Sequence, residues 1–113
     1  MASKKILFIC TVNRLRSRTA DTIFSQYEDL EVKSAGTDKS ATVHVSRELL
    51  EWADLIVVME KKHRNWIGSK FRDIYKTKPI KCLYIPDDYE YMDPHLIDLL
   101  RHKMSAFLPA DLK

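Results

Sequence analysis

Apolar and polar residues alternate in blocks along this chain, and the blocks predict four strands and four helices. Short, nearly continuous apolar runs predict strands over 4–10, 31–34, 55–59 and 80–85. Apolar residues spaced three or four apart predict helices over 17–27, 46–52, 61–75 and 93–107. This alternation of strand and helix predicts a parallel sheet covered by helices on both faces.

Capping residues mark two of the predicted helix starts. Ser46 is a typical N-cap, and Asp93-Pro94 places a capping carboxylate before a proline in the first turn. In parallel sheets of this kind, ligands bind at the carboxyl ends of the strands. The polar loops 11–16 and 86–92 leave the first and fourth strands at that edge, so we expect the chemistry there.

Composition and charge narrow the class of protein. The chain has 113 residues, of which 45% are apolar, and we expect a single domain over 1–113. Nineteen cationic and sixteen acidic side chains leave a formal net charge of +3, which does not indicate a nucleic-acid partner. No apolar run reaches membrane-spanning length, and 6–10 is too short for a signal-peptide core. We expect a soluble, cytoplasmic protein without a membrane partner.

The cysteines and histidines argue against a disulfide scaffold and a metal site. Cys10 and Cys82 are the only two cysteines, and none of the four histidines pairs with them at a zinc-like spacing. Cys82 is predicted to be a small buried residue of the fourth strand. His63 follows several charged residues and is predicted to lie on the exposed face of a helix.

The loop after the first strand carries the strongest chemical signal. Cys10 and Arg16 are separated by five residues and followed by Ser17, between a strand and a helix. A loop of this length can aim backbone N–H groups at a tetrahedral dianion, together with those of the helix N-terminus. Arginine adds a bidentate clamp, and this environment favours the cysteine thiolate, to which Ser17 can donate a hydrogen bond. The alternative is a buried structural Cys10 and a solvated Arg16.

Residues of this loop match a known family. Cys10, Asn13, Arg16 and Ser17 match the pattern Cys-x-Gly-Asn-x-Cys-Arg-Ser, and by them the chain resembles the low-molecular-weight protein tyrosine phosphatases. Segments 34–37 and 54–59 resemble that family's second strand with its turn and its third strand. The resemblance implies an α/β fold, a three-layer αβα sandwich of the flavodoxin-like phosphatase type. Its four-stranded parallel sheet would have the order 2-1-3-4.

The resemblance also implies roles for individual residues. Cys10 would be the nucleophile of a phosphocysteine intermediate, Arg16 would bind phosphate and stabilise the transition state, and Ser17 would assist the thiolate. No cofactor is implied, and the loop would hold inorganic phosphate or a similar oxyanion. The predicted substrate-binding residues are Thr11, Val12, Asn13, Arg14, Leu15 and Tyr89.

Three loop residues depart from the family pattern. Val12 occupies the usual glycine position, where a side chain can strain the loop. Leu15 replaces the second cysteine, so the internal disulfide that can protect the nucleophile is absent. Arg14 lies at the pocket rim, where apolar residues are common, and together with Arg18 it favours an acidic substrate; a solvated surface role is the alternative.

The loop after the fourth strand supplies the acid that such a reaction needs. Asp87-Asp88-Tyr89 resembles the family's Asp-Pro-Tyr, and we assign Asp87 as the general acid ahead of Asp88. An ordinary acidic loop is the alternative. Tyr89 would flank the phosphoester, whereas Tyr91 is interpreted as an anchor of the loop.

The predicted function is hydrolysis of a phosphomonoester, on a phosphorylated protein or a small aryl phosphate. A non-catalytic phosphate-binding module remains the main alternative. An arsenate reductase would need further thiols near the site, and only Cys82 is available. A phosphocysteine carrier of sugar transport would need neither Arg16 nor Asp87.

Overall fold

The computed structural model describes residues 4–108 and contains one parallel sheet. Its strands run in the order β2-β1-β3-β4, which confirms the predicted order. The strands are β1 (Lys4–Cys10), β2 (Leu30–Gly36), β3 (Leu55–Val58) and β4 (Ile80–Cys82). The central strand β1 pairs along its whole length with β2, in register from Lys4 opposite Leu30 to Cys10 opposite Gly36.

Helices connect the strands and end the described chain. They are α1 (Arg16–Phe24), α2 (Arg47–Trp52), α3 (Lys61–Lys70), α4 (Arg72–Thr77) and α5 (Pro94–Met104), followed by a 3-10 turn (Ser105–Phe107). Ser46 caps α2 by accepting a hydrogen bond from the N–H of Leu49, and Asp93 caps α5 by accepting one from the N–H of His95. Both predicted helix starts are confirmed. No helix within residues 4–108 is long and apolar enough to span a membrane.

The two faces of β1 build two separate hydrophobic cores. Because side chains alternate along a strand, Ile6 and Phe8 face one layer while Leu7 and Ile9 face the other. Residues of α1 and α5 cover the first face, and residues of α2, α3 and α4 cover the second. The predicted three-layer αβα arrangement is therefore confirmed.

Two predicted elements are wrong in their extent. The helix expected over 61–75 is two helices, because the backbone at Phe71 leaves helical geometry (φ −135°, ψ 64°), and its ring packs against the second core. The strand expected over 80–85 ends at Cys82, because Tyr84 adopts a left-handed backbone (φ 55°). The N–H groups of Leu83 and Ile85 still bond to the β3 side of the sheet, so this segment stays attached.

Other predicted boundaries move by a few residues. The first helix is shorter than 17–27, the second strand is longer than 31–34, and the third strand ends one residue before Met59. The expected domain over 1–113 includes 1–3 and 109–113, which lie outside the described residues. Because β3 lies between β1 and β4, three carboxyl ends meet at one edge and bring Cys10, Glu60 and Asp87 into one region.

Candidate active site

The loop between β1 and α1 is held by the segment that follows β2. Two of its carbonyl groups, and that of Cys10 at the end of β1, accept backbone hydrogen bonds from that segment. These are the carbonyls of Cys10 from Thr37 (3.1 Å), of Thr11 from Asp38 (2.9 Å) and of Val12 from Thr42 (3.1 Å). In a trans peptide the N–H points opposite to the carbonyl, so the N–H groups of 11–13 point away from segment 37–42. They are thus available to an oxyanion in the loop.

The residue at the end of β2 must be a glycine for the loop to pack so closely. A side-chain carbon on Gly36 would lie 2.5 Å from the carbonyl oxygen of Thr11 and 3.0 Å from the nitrogen of Asn13. Backbone atoms cannot easily retreat from such a contact. The absence of a side chain at Gly36 therefore allows the end of β2 to pack directly against the backbone of the loop.

Cys10 is buried at the base of the loop, in contact with a hydroxyl group. Its Sγ lies 2.9 Å from Ser17 Oγ, and Asn13 Nδ2 donates to the same hydroxyl oxygen at 2.8 Å. Because the amide nitrogen can only donate, the proton of Ser17 is free to point toward Cys10. Asn13 reaches this position with a left-handed backbone (φ 56°), which asparagine tolerates better than most residues.

Arg16 is 1% exposed and its side chain spans the region between the strand ends. Its Nη1 donates to Glu60 Oε2 (2.6 Å) and to the carbonyl oxygen of Ile85 (2.8 Å). Its Nε lies 3.7 Å from Asp87 Oδ1 and has no hydrogen-bond partner among the described residues. Buried donors are rarely left unpaired, so this edge of the guanidinium is suited to bind a polar ligand.

Glu60 orients Arg16 from the start of α3. Burial raises the pKa of Glu60, but the hydrogen bond and charge of Arg16, aided by Lys62, outweigh it and hold that pKa below its usual value. Glu60 is thus ionised at neutral pH and forms a charge-assisted bond with Arg16. The guanidinium of Arg16 is therefore held in place through its Nη1 atom.

A buried histidine links Glu60 to the loop. His63 Nδ1 accepts a hydrogen bond from the N–H of Glu60 (3.0 Å), so the neutral ring carries its proton on Nε2. That nitrogen lies 2.9 Å from Thr11 Oγ1 and therefore donates to it, which leaves the hydroxyl proton of Thr11 free. Burial and the charge of Arg16 lower the pKa of His63 to about 4. The expectation of an exposed His63 is wrong, because its ring fills the space between α3 and the loop.

Solved structures match nearly the whole chain, whereas no protein-family model and no curated protein matches its sequence. The tyrosine phosphatase Wzb from Escherichia coli K30, in complex with phosphate, superposes with a TM-score of 0.72 at 20% identity, over 93% of this chain and 96% of that one. A low molecular weight protein tyrosine phosphatase from Streptococcus pyogenes matches with a TM-score of 0.72 at 14% identity, over 96% of each chain. The YwlE arginine phosphatase from Geobacillus stearothermophilus matches with a TM-score of 0.61 at 22% identity, over 91% of this chain and 84% of that one.

The fold is that of the low-molecular-weight phosphatases. The resemblance predicted from the loop is confirmed at this level. Because the sequence identities are low, the similarity concerns the fold, and the roles of individual residues rest on the geometry of this chain.

Of the three loop residues that depart from the family pattern, Val12 and Leu15 are half-buried and Arg14 is exposed. Val12 does not have the positive φ that would require glycine; among described residues other than glycine, only Asn13, Tyr84 and Met92 do. The backbone of Val12 therefore does not show the strain that was expected from a side chain at the usual glycine position.

The predicted residues of the acid loop separate in space. Asp87 is close to Arg16, whereas Asp88 is exposed and has no hydrogen bond or ion pair to another described residue. Tyr89 is half-buried and packs against the first core. Tyr91 bonds through its hydroxyl to Thr22 (2.8 Å), as an anchoring residue would.

Cys82 does not approach the site. It lies at the end of β4, half-buried against the second core, whereas Cys10 belongs to the first core on the opposite face of the sheet. Cys82 was expected within a strand over 80–85, but β4 ends at Cys82, so this residue lies at the end of the strand. Residues 4–108 also contain no cluster of three or more potential metal ligands.

Sequence reasoning missed Glu60 and misplaced His63. Their local signal was a glutamate directly after the third strand with a histidine three residues later, which here forms a reciprocal capping box. A charged run after a strand that leaves the ligand-binding edge of the sheet could have drawn attention to both residues.

His63 is expected to make folding stability depend on pH. Its pKa falls from 6.5 in the unfolded chain to about 4 in the folded one, so the unfolded state takes up this proton first. The stability contributed by neutral His63 is complete above pH 6.5 and is lost as pH falls toward 4. Protonation of this histidine alone would lower the free energy of unfolding by about 2 kcal/mol between pH 7 and pH 5.

Urea unfolding at a series of pH values tests this expectation. His63→Gln is the matched control, because glutamine can replace both hydrogen bonds and does not titrate. The difference in stability between the two proteins should shrink or reverse as pH falls through this range. If the free energies of unfolding of wild type and variant changed in parallel with pH, His63 would not be buried in its neutral form.

Proposed function

We propose that this protein is a phosphomonoester hydrolase that acts through a phosphocysteine intermediate, with aryl phosphates such as phosphotyrosine as its substrates. The observation that carries the proposal is the chain of hydrogen bonds from Asn13 through Ser17 to Cys10 Sγ. A cysteine that served only packing would not need a directed hydroxyl donor. The neighbouring Arg16, with its free Nε, supplies the charge that a bound phosphate requires.

In the first step Cys10 Sγ attacks phosphorus, a sulfur–phosphorus bond forms and the ester oxygen leaves. Arg16 and the N–H groups of the loop stabilise the charge on the phosphoryl oxygens. The N-terminus of α1 contributes too, because no side chain caps it and its first turn contains no acidic residue. Asp87 donates its proton to the leaving oxygen.

In the second step water attacks the phosphocysteine and the sulfur–phosphorus bond breaks. Asp87, now a carboxylate, accepts the proton of the water, and inorganic phosphate is released. The hydroxyl of Ser17 stabilises the returning thiolate. The position of Asp87 supports both roles, because its carboxylate is exposed to solvent and lies 3.7 Å from Arg16 Nε.

Turnover of p-nitrophenyl phosphate by the reduced protein at mildly acidic pH tests the proposal. We expect p-nitrophenol and phosphate in equal amounts, with competitive inhibition by inorganic phosphate. Binding of phosphate without turnover by folded protein would instead indicate a non-catalytic phosphate-binding module. Because fold relatives include an arginine phosphatase, phosphoarginine is a useful second substrate. We expect it to be the poorer one, since exposed Arg14 at the loop repels a guanidinium group.

Asp87→Asn is expected to lower kcat by about 100-fold, because asparagine cannot transfer the proton. The loss should be larger with phenyl phosphate, whose leaving oxygen is more basic, than with p-nitrophenyl phosphate. Asp88→Asn is the matched control and should retain the rate of the wild type. A loss confined to Asp88→Asn would move the role of the acid to Asp88.

A further inference from the structure

A cavity lies directly beside the phosphate loop. It has a volume of about 350 Å³ and is lined by Asn13, Arg14, Arg18, Thr42 and Tyr91. Neither Arg16 nor Asp87 lines this cavity, so the cavity is separate from the place beside Arg16 at which phosphate would bind. Asn13 is shared, because its side chain also bonds to Ser17 within the loop.

Two cations border this cavity without acidic partners. Arg14 and Arg18 are both exposed, and neither lies within ion-pair distance of a carboxylate in the part of the chain that the structure describes. Arg14 donates to the carbonyl oxygen of Ser40 (3.0 Å), and the nearby Asp38 is bonded to the N–H and hydroxyl of Ser40. The cavity therefore has a positive rim, in which the nearby Asp38 partly offsets the charge of Arg14.

The walls of the cavity are fixed by contacts to the loop and to α1. Thr42 bonds through its N–H to the carbonyl oxygen of Val12, and Tyr91 bonds through its hydroxyl to Thr22 in α1. Tyr91 is 48% exposed and flanks the cavity on the outside. An extended polypeptide could therefore pass over it while one of its residues is held in the phosphate loop.

We propose that this cavity is a subsite for the carboxylate of an acidic residue next to the phosphorylated residue of a protein substrate. The proposal rests on the proposed function, since it places the substrate phosphate in the adjacent loop. Arg14 and Arg18 bind the carboxylate, and the ring of Tyr91 contacts the aliphatic part of the same side chain. The preferred substrate is thus a phosphotyrosine within an acidic sequence.

Binding of two phosphonate peptides tests the subsite independently of turnover. Both contain a non-hydrolysable phosphonate in place of phosphotyrosine, one flanked by glutamates and the other by glutamines. Wild type is expected to bind the glutamate peptide about three- to tenfold more tightly at moderate salt, as two exposed ion pairs would give, and the preference should decrease at high salt. Arg14→Gln and Arg18→Gln should each reduce this ratio, whereas Arg72→Gln, an equal loss of charge outside the cavity, should leave it unchanged.

The outcomes separate this inference from the proposed function. A preference that is absent, or that survives both cavity substitutions, would overturn the subsite even if p-nitrophenyl phosphate is hydrolysed. A preference that depends on Arg14 and Arg18 in a protein without turnover would support the subsite and refute the hydrolase. Failure of both peptides to bind would overturn the subsite together with the phosphate loop.

Discussion

Cys10→Ser is expected to abolish turnover of aryl phosphates, lowering kcat by about 10⁴-fold or more, as removal of a catalytic nucleophile does in other enzymes. A serine hydroxyl stays protonated in this loop, and no base among residues 4–108 lies within hydrogen-bond distance of Cys10 to activate it; its polar neighbour is Ser17. The substitution changes little volume, so the loop should keep its shape.

Three measurements make the result decisive. Steady-state rates give the loss, a phosphate-binding titration shows whether the loop is intact, and thermal unfolding shows whether the protein is folded. Cys82→Ser is the matched control, since it removes the other thiol from the opposite face of the sheet. Turnover that survives Cys10→Ser in a folded protein would refute the phosphocysteine mechanism.

Arg16→Lys is expected to lower kcat/KM for p-nitrophenyl phosphate by about 10³-fold. Arg16 donates to Glu60 and to the carbonyl of Ile85 with one nitrogen, whereas its Nε has no hydrogen-bond partner among the described residues and is available to phosphate. Lysine has the same charge but a single nitrogen, so it cannot do both. We expect weaker phosphate binding together with a slower chemical step.

Arg47→Lys is the matched control for this substitution. Arg47 also forms a two-pronged ion pair, with Asp73, but on the exposed surface of α2. It should therefore change neither kcat nor KM. If Arg16→Lys retained a rate within a few-fold of wild type, Arg16 would be a structural residue that joins α1 to the ends of β3 and β4.

Local patterns in the sequence identified the elements, except for the division of the third helix, but not all of their ends. Apolar runs identify β1 and β3 because a strand buried on both faces must be apolar at nearly every position. The break at Phe71 has no such local signal, since the apolar spacing continues across it. After the break, Ile74 of α4 lies in the second core and Phe71 packs against it.

The environment of His63 shows why burial of a polar residue escaped prediction. A histidine within a charged run is usually solvated, and the only local sign of another role was the capping pattern that it forms with Glu60. Its two hydrogen-bond partners are Glu60, one turn away, and Thr11, which is 52 residues away. Only the parallel packing of β3 against β1 brings the loop to the start of α3.

The sequence by itself was enough to predict a phosphate loop, because the spacing of Cys10 and Arg16 and the helix that follows are local properties of one short segment. The tertiary structure decided how that loop is held and oriented. Arg16 meets Glu60 and Ile85, 44 and 69 residues away, only because the order of the strands places three carboxyl ends side by side. Contacts between distant segments depend on the topology of the sheet, which no local pattern of residues encodes.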